Sequence, residues 1–113
     1  VKTILKDVVV PEENIQITIE NIQKIVAEQY SLTVKDLKAK KRTAQFALPR
    51  QIAMYLARTM TDISTTEIGD AFGGRDHTTV MHACNKIKEK LENDAYFAAL
   101  VNKIVKFIKT EED

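Results

Sequence analysis

Residues 69–87, GDAFGGRDHTTVMHACNKI, place a glycine pair and a cluster of polar side chains directly before a segment of apolar periodicity. The pair 73–74 can take the positive φ that ends one helix, and Asp76 can cap the next. Upstream, Ser64 and Glu67 have the spacing of a capping box, which predicts a short helix over TTEIGDAF. Two helices joined by a short glycine-containing turn predict a helix-turn-helix.

Helical patterns also cover the sequence on both sides of this motif. Thr18 can cap an amphipathic helix over TIENIQKIVAEQY, and Thr33 can cap a short helix over VKDLKAK. The basic loop KAKKRTAQFAL follows, and Pro49 suits the first position of a helix over PRQIAMYLARTM. The last helix, DAYFAALVNKIVKFIK, has an apolar stripe formed by Phe97, Leu100, Val101, Ile104 and Ile108. Glycine and proline are scarce, at three and two residues, and no alternating pattern indicates a hairpin, so the sequence predicts an all-α helical bundle.

The composition limits the fold and the function classes. The 113 residues are enough for one domain, and 44% hydrophobic with 29% charged residues is typical of globular proteins. No apolar run approaches the ~18 residues that a membrane-spanning helix needs, and the start of the chain has no signal-peptide pattern. A single cysteine excludes an internal disulfide. Since the first residue is not methionine, we expect an excised domain or a processed chain.

The net charge is only +1, but the positive charge is concentrated in the middle of the chain. Residues 35–90 contain eleven Lys or Arg against six Asp or Glu, whereas the remainder contains six against ten. A polyanion could bind such a region, although ordinary surface scatter produces the same pattern.

The helix that follows Asp76 has two different sides. At about 100° per residue, Val80, Cys84 and Ile87 fall on one side and predict a buried stripe. The opposite side carries hydrogen-bonding residues, namely Thr78, His82, Asn85 and Glu89. Such side chains near a helix N-terminus suit insertion into the major groove of DNA, where they can reach base edges and phosphates. The simpler alternatives are that Asp76 is only an N-cap and that the other residues are solvated.

The same stretch does not predict a metal or catalytic site. His77 and His82 lie on different sides of the helix, and Cys84 falls on the core side, where a thiol is unsuited to act as a nucleophile. The glycine pair lacks the Gly-x-x-x-x-Gly-Lys-Ser/Thr spacing of a nucleotide-binding loop. We therefore expect no enzymatic activity from this chain.

A second candidate site is the basic segment KAKKR, residues 38–42. Lys40, Lys41 and Arg42 could follow DNA phosphates, and an arginine on a loop suits a narrow minor groove. A solvated charged face is the alternative interpretation.

The stretch GDAFGGRDHTTVMHACNKI closely resembles the signature of the C-terminal DNA-binding domain of the DnaA family, the bacterial chromosomal replication initiators. The resemblance extends upstream through ITIENIQKIVAEQY, VKDLKAKKR and PRQIAMYLAR, and so covers nearly the whole chain. It implies a Trp-repressor-like helix-turn-helix bundle that binds double-stranded DNA at the DnaA boxes of the replication origin. It also implies a DNA-binding domain over residues 18–113, preceded by the end of a connecting helix or linker over residues 1–17.

The resemblance further assigns individual residues to the DNA. The positions that match base contacts of the family are Arg42 in the minor groove and Thr65, Thr66, Asp76, His77 and Thr78 in the major groove. The positions that match contacts to the DNA backbone are Lys40, Lys41, Arg50, Gln51, Arg58, Arg75, Thr79, His82 and Lys86. Two departures affect this assignment, because Thr65-Thr66 replaces the Leu-Pro common in the family and Ala44 occupies a place that can be basic. We expect fewer phosphate contacts from this loop, and hence a shallower salt dependence.

In the family this domain follows an ATPase domain that uses ATP and Mg²⁺, so the resemblance implies no cofactor and no enzymatic activity for this chain. It implies a domain that is monomeric by itself, in the bacterial cytoplasm at the nucleoid, without membrane association. Regulatory proteins of initiation are further partners that the resemblance allows. The rival interpretation is a protein-interaction module whose threonine and histidine face docks a partner helix. It predicts binding that is insensitive to salt and shows no preference among duplexes.

Overall fold

A computed structural model describes residues 17–40 and 43–109. This part of the chain contains six α-helices and no strand: α1 Ile19–Gln29, α2 Val34–Lys38, α3 Ala44–Met60, α4 Thr65–Ala71, α5 His77–Asn93 and α6 Ala95–Lys109. The predicted all-α bundle is therefore confirmed. The predicted connecting segment, residues 1–17, lies outside the described residues apart from Ile17, and so do Lys41 and Arg42. Within the described ranges, no helix is both long and apolar enough to cross a membrane.

Helix α3 lies at the centre of the bundle, because α1, α2, α4 and α5 all pack against it. Its inner face alternates small and large apolar residues, and Ile52, Ala53 and Ala57 are fully buried. This alternation lets the side chains of neighbouring helices interdigitate. Helix α6 completes the core by packing on α1 and α5, so the helix-turn-helix formed by α4 and α5 rests on a continuous apolar layer.

The predicted helix starts at Thr18, Thr33 and Ser64 are confirmed by capping hydrogen bonds. The Thr18 hydroxyl accepts a hydrogen bond from a backbone amide in the first turn of α1. Thr33 and Ser64 each form a reciprocal capping box, with Asp36 and Glu67 respectively. Caps of this kind contribute about 1 kcal/mol each, and they fix where the chain turns into the helix.

The predicted start of α3 at Pro49 is wrong, because the helix begins at Ala44 and Pro49 lies inside it. Proline is favoured at a first helical position, whereas further along a helix it removes the hydrogen bond to the carbonyl four residues earlier, here that of Gln45, and its ring crowds that carbonyl. The good helix formers of AQFAL continue the helix upstream, and Leu48 packs half-buried against the core. The basic loop is consequently shorter than predicted, since Lys38 ends α2 and Ala44 already belongs to α3.

The predicted core stripe of α6 is confirmed except at Leu100. Phe97, Val101, Ile104 and Ile108 are buried, whereas Leu100 keeps 38% of its surface exposed. Helix α6 packs on α1 and α5, and these two neighbours cover a narrower arc than the apolar residues of α6 occupy. Leu100 lies at the edge of that arc.

Close backbone contacts define the turn of the helix-turn-helix. Gly73 and Gly74 have φ values of 91° and 81°, so the predicted positive-φ turn is confirmed. The Gly69 carbonyl accepts hydrogen bonds from the amides of Gly74 at 3.1 Å and Arg75 at 2.9 Å. A Cβ on Gly69 would overlap the carbonyl oxygen of Arg75, so a glycine is required where the chain returns this closely to α4.

A buried glutamine fastens the end of α4 to α1. Gln23 is only 2% exposed, and its Nε2 donates a hydrogen bond to the Ala71 carbonyl at 2.9 Å. The last carbonyls of a helix have no partner within the helix, so this bond satisfies one of them inside the protein. The amphipathic pattern of α1 did not identify this contact, because a single polar residue on an apolar face does not indicate its distant partner.

Replacing Gly69 with alanine should destabilise the domain by about 2 kcal/mol or more. Alanine is the better helix former by about 1 kcal/mol, but its methyl group would displace the Arg75 backbone and with it the start of α5. Urea unfolding followed by circular dichroism measures the difference. The control is Gly74→Asn, because nothing lies within 4 Å of a Cβ there and asparagine tolerates positive φ. Equal stability of Gly69→Ala and the wild type would contradict the importance of this close approach.

Candidate nucleic-acid interface

The N-terminal turn of α5 is open to solvent. Four consecutive residues, Asp76, His77, Thr78 and Thr79, are exposed, while Val80 is fully buried. Further along the same helix, the exposed positions include His82, Asn85 and Glu89. The predicted division of α5 into a buried and an exposed side is confirmed, and the exposed side is polar.

Asp76 caps α5, as its position in the sequence predicts. Its side chain accepts a hydrogen bond from the Thr79 amide at 2.9 Å. Hydrogen bonds from the backbone and the side chain of Thr79 lower the pKa of the Asp76 carboxyl. The exposed carboxylate is therefore ionised at neutral pH, and it can cap the helix and still accept a hydrogen bond from a ligand.

A groove between α3 and α5 collects most of the residues that were assigned to the DNA backbone. Two adjoining depressions share four lining residues, Arg50, Gln51, Arg75 and Thr79. The other lining residues are Lys40 and Ala47 at one end and Met54, His82, Ala83 and Lys86 at the other. Seven of the nine residues in that assignment thus line one continuous surface.

The groove is electrostatically suited to an anion. Lys40, Arg50, Arg75 and Lys86 bring positive charge to it, and no acidic side chain from the described part of the chain lines it. Thr79 belongs both to the groove and to the exposed first turn of α5, so the two surfaces are continuous. A polyanion that follows the groove therefore reaches the N-terminus of α5, where free backbone amides favour negative charge.

Two arginines of the groove bind backbone carbonyls of the protein itself. Arg50 is 6% exposed, and it donates from Nε to the Leu37 carbonyl at 2.9 Å and from Nη2 to the Ala39 carbonyl at 3.0 Å. Arg75 donates from Nη2 to the same Ala39 carbonyl at 2.7 Å and from Nη1 to the Phe72 carbonyl. Burial lowers the pKa of both guanidinium groups, and the charge of Arg75 lowers the pKa of Arg50 further. The sequence did not predict these contacts, because a backbone carbonyl that accepts a hydrogen bond from a distant side chain leaves no pattern in the sequence.

The remaining assigned residues do not line the groove. Thr65 and Thr66 are the first two residues of α4, half-buried and exposed respectively. Arg58 is exposed in the last turn of α3. Lys41 and Arg42 lie outside the described residues, so the minor-groove assignment stays a prediction.

Cys84 packs in the core, as its position on α5 predicts. It is 5% exposed, and burial raises the pKa of its thiol. Across residues 17–40 and 43–109, no group of three or more His, Cys, Asp or Glu side chains is arranged to hold a metal ion.

The sequence of the bundle matches a known family. A family model described as bacterial dnaA protein helix-turn-helix matches residues 19–87, which include α1 to α4 and α5 as far as Ile87. This chain belongs to the bacterial DnaA helix-turn-helix family. The predicted family is thus confirmed, and the match includes α4, most of α5 and all residues that line the groove. The description of the family model names the same motif that α4 and α5 form.

Two curated relatives are both named chromosomal replication initiator protein DnaA. The protein from Treponema denticola is 45% identical over 108 residues, which are 96% of this chain and 23% of the relative. The protein from Symbiobacterium thermophilum is 47% identical over 107 residues, which are 95% of this chain and 23% of the relative. The chain therefore spans less than a quarter of the length of these DnaA proteins.

A solved structure supports the same fold. It is described as the crystal structure of a DNA replication initiation factor, and it matches this chain with a TM-score of 0.74 at 34% sequence identity. The match covers 82% of this chain and 28% of that structure. The predicted helix-turn-helix bundle is confirmed by this match together with the family model.

Asp76→Ala should lower the thermal midpoint, whereas Asp76→Asn should keep most of it, because asparagine caps helices as well as aspartate does. The lowered pKa of Asp76 means that its contribution to stability is present above the ordinary pKa of about 3.9 and is lost as the pH falls through the folded-state value. Circular dichroism melts at about pH 7 and about pH 3 measure both effects, and Asp76→Asn should lose less stability between them than the wild type. A wild-type midpoint for Asp76→Ala at neutral pH would contradict the capping role.

Proposed function

We propose that this domain binds double-stranded DNA sequence-specifically, at the DnaA boxes of a bacterial replication origin. Helix α5 enters the major groove by its N-terminus, while the basic segment, residues 38–42, reaches the minor groove and the DNA backbone. One observation carries the proposal. The exposed polar start of α5 and the basic groove between α3 and α5 meet at Thr79, so one duplex can contact both.

Base reading is proposed for the first turn of α5. Threonine can contact a thymine methyl and a base edge, aspartate can accept from cytosine N4, and histidine can donate to a purine acceptor. A helix with its side chains is about 10–12 Å across, which fits a major groove about 12 Å wide. The proposed base contacts are Asp76, His77 and Thr78 on α5, Thr65 and Thr66 at the start of α4, and Arg42 in the minor groove.

The basic groove is proposed to hold the DNA backbone. The proposed contacts are Lys40, Lys41, Arg50, Gln51, Arg58, Arg75, Thr79, His82 and Lys86. Such contacts set the position of the protein on the duplex without reading its sequence. They release counterions from the DNA, so the affinity should fall as the salt concentration rises.

The relatives' name connects this domain with the initiation of chromosome replication. We infer that the domain fastens a longer initiator protein to origin DNA, while ATP and Mg²⁺ are used by an ATPase domain of that protein. The domain itself would act without a cofactor and bind its site as a monomer, in the bacterial cytoplasm at the nucleoid. Regulatory proteins of initiation are proposed as additional partners.

Fluorescence anisotropy tests the proposal directly. A labelled DnaA-box duplex and a scrambled duplex of the same composition are titrated at several salt concentrations. The box duplex should bind more tightly, and both affinities should fall as salt rises. Equal affinities that do not respond to salt would sink the proposal and favour a protein-docking module.

Thr78→Ala should lower the affinity for the box duplex by about 1–3 kcal/mol and leave the scrambled duplex almost unaffected, because Thr78 is proposed to read a base. Lys86→Ala should weaken both duplexes alike and reduce the slope of log affinity against log salt by about 1, since phosphates carry no direct sequence information. The anisotropy titrations measure both effects. If the two variants had the same pattern, the separation between base and backbone contacts would be wrong.

Arg42→Ala should reduce discrimination between the two duplexes by about 1–3 kcal/mol without changing the unfolding midpoint, because Arg42 is proposed to enter the minor groove. Lys40→Ala is the matched control, as Lys40 is an exposed cation of the same segment and is proposed to contact only phosphate. It should weaken both duplexes equally. Full discrimination in Arg42→Ala would overturn the minor-groove assignment.

A further inference from the structure

The carbonyl oxygen of Ala39 binds arginines from two different parts of the chain, Arg50 in α3 and Arg75 just before α5. It accepts a hydrogen bond from Arg50 Nη2 at 3.0 Å and another from Arg75 Nη2 at 2.7 Å. Arg50 also holds the Leu37 carbonyl through Nε at 2.9 Å. We call Arg50, Arg75 and the carbonyls of Leu37 and Ala39 the arginine clamp. It joins the end of α2 to α3 and to the turn before α5.

The clamp supplies hydrogen-bond donors to the backbone carbonyls at the C-terminal end of α2. This helix ends at Lys38 because Ala39 takes an extended conformation, with φ −72° and ψ 163°. The last carbonyls of a helix have no partners within it, and the Leu37 side chain is fully buried. The guanidinium groups supply the missing donors, and bonds to charged donors are roughly twice as strong as neutral ones.

The turn of the helix-turn-helix is shaped to receive the clamped segment. A Cβ on Gly73 would overlap the carbonyl oxygen of Lys38, and it would lie 3.1 Å from Arg75 Nη1. Arg75 Nη1 also donates to the Phe72 carbonyl at the end of α4. The backbone of residues 38 and 39 therefore lies directly on the turn that leads into α5, with no side chain between them.

This placement has a consequence for the basic segment that follows. Ala39 lies within the basic segment, residues 38–42, so a fixed Ala39 sets the point from which the rest of the segment continues. The clamp includes Arg75, which directly precedes Asp76, the cap of α5. The clamp therefore ties the origin of the basic segment to the start of the helix proposed to read the major groove.

We propose that Arg50 and Arg75 are positioning residues for sequence discrimination: by holding the Leu37 and Ala39 carbonyls, they set the basic segment in register with α5. This inference rests on the proposed function, in which the basic segment contacts the minor groove of the DNA. It assigns Arg50 a role that a simple phosphate contact does not have. A phosphate contact requires only positive charge, whereas the clamp requires two donors of one planar group.

Arg50→Lys separates these two roles. Lysine keeps the positive charge but has a single ammonium group, which cannot serve the Leu37 and Ala39 carbonyls in the geometry of Nε and Nη2. Arg58→Lys is the comparison for a simple phosphate contact, because Arg58 is an exposed arginine of the same helix, lies outside the clamp and is proposed to contact only phosphate. It should change the affinities for both duplexes alike and leave their ratio at the wild-type value. Arg75→Lys is the second test variant, which weakens the clamp from the other side.

Hydrogen exchange tests the clamp itself without DNA. Exchange of the backbone amides of α2 and of residues 39–40 should become about tenfold faster in Arg50→Lys, which is the effect of losing one hydrogen bond to a charged donor. Exchange in α6 should not change, because α6 packs mainly on α1 and α5. Unchanged protection of α2 and residues 39–40 in both Arg50→Lys and Arg75→Lys would overturn the proposal.

Anisotropy titrations, at a temperature where each variant is folded, test the consequence for recognition. The ratio of box to scrambled affinity should fall about tenfold in Arg50→Lys, toward the value of Arg42→Ala, while the scrambled affinity stays within about threefold. Adding Arg42→Ala to Arg50→Lys should cost little more, because the two substitutions remove the same interaction. Wild-type discrimination in Arg50→Lys, or fully additive losses, would overturn the positioning role. If the wild-type domain did not distinguish the duplexes, the proposed function would fail, and the exchange measurement would still decide whether the clamp exists.

Discussion

The close return of the chain onto Gly69 is the constraint on which the rest of this domain depends. The carbonyl of Gly69 accepts hydrogen bonds from the amides of Gly74 and Arg75. Because Gly69 has no Cβ, the carbonyl of Arg75 can lie directly against it. These contacts fix the direction of α5 relative to α4. Because α5 then lays its apolar side on α3, its polar side and its N-terminal turn must face solvent. The exposure of the surface proposed to recognise DNA thus follows from a backbone contact in the core of the motif.

The positive charge of the interface is organised by backbone carbonyls. Arg50 and Arg75 approach each other because both bind the Ala39 carbonyl, although each is partly removed from water and their charges repel. Two cations held in this way stabilise the fold less than two isolated hydrogen bonds would. A phosphate in the groove would offset their repulsion. The free protein is therefore arranged to gain more from an anion at this position than from the same charges scattered over its surface.

Several residues of the candidate interface have a structural role. Asp76 caps α5 and offers its carboxylate to solvent, and Arg50 closes the end of α2 while it lines the groove. Removing such a side chain should change both the stability of the fold and the affinity for DNA. A loss of affinity in an alanine variant therefore does not by itself show that the side chain contacts DNA. Substitutions that keep the cap or the charge separate the two roles, because they retain one interaction and remove the other.

The sequence by itself determined the features that depend on residues within about four positions of each other: the caps at Thr18, Thr33, Ser64 and Asp76, the glycine turn and the two sides of α5. Its family resemblance supplied the candidate site residues. Only the tertiary structure decided the contacts between distant residues, such as Gln23 with Ala71 and Arg75 with Ala39, which are 48 and 36 positions apart. Pro49 inside α3 and the exposed Leu100 were mispredicted because local preferences are weaker than packing by neighbouring helices. The groove also required the fold, since α3 and α5 are brought together by burial and no local pattern encodes which faces meet.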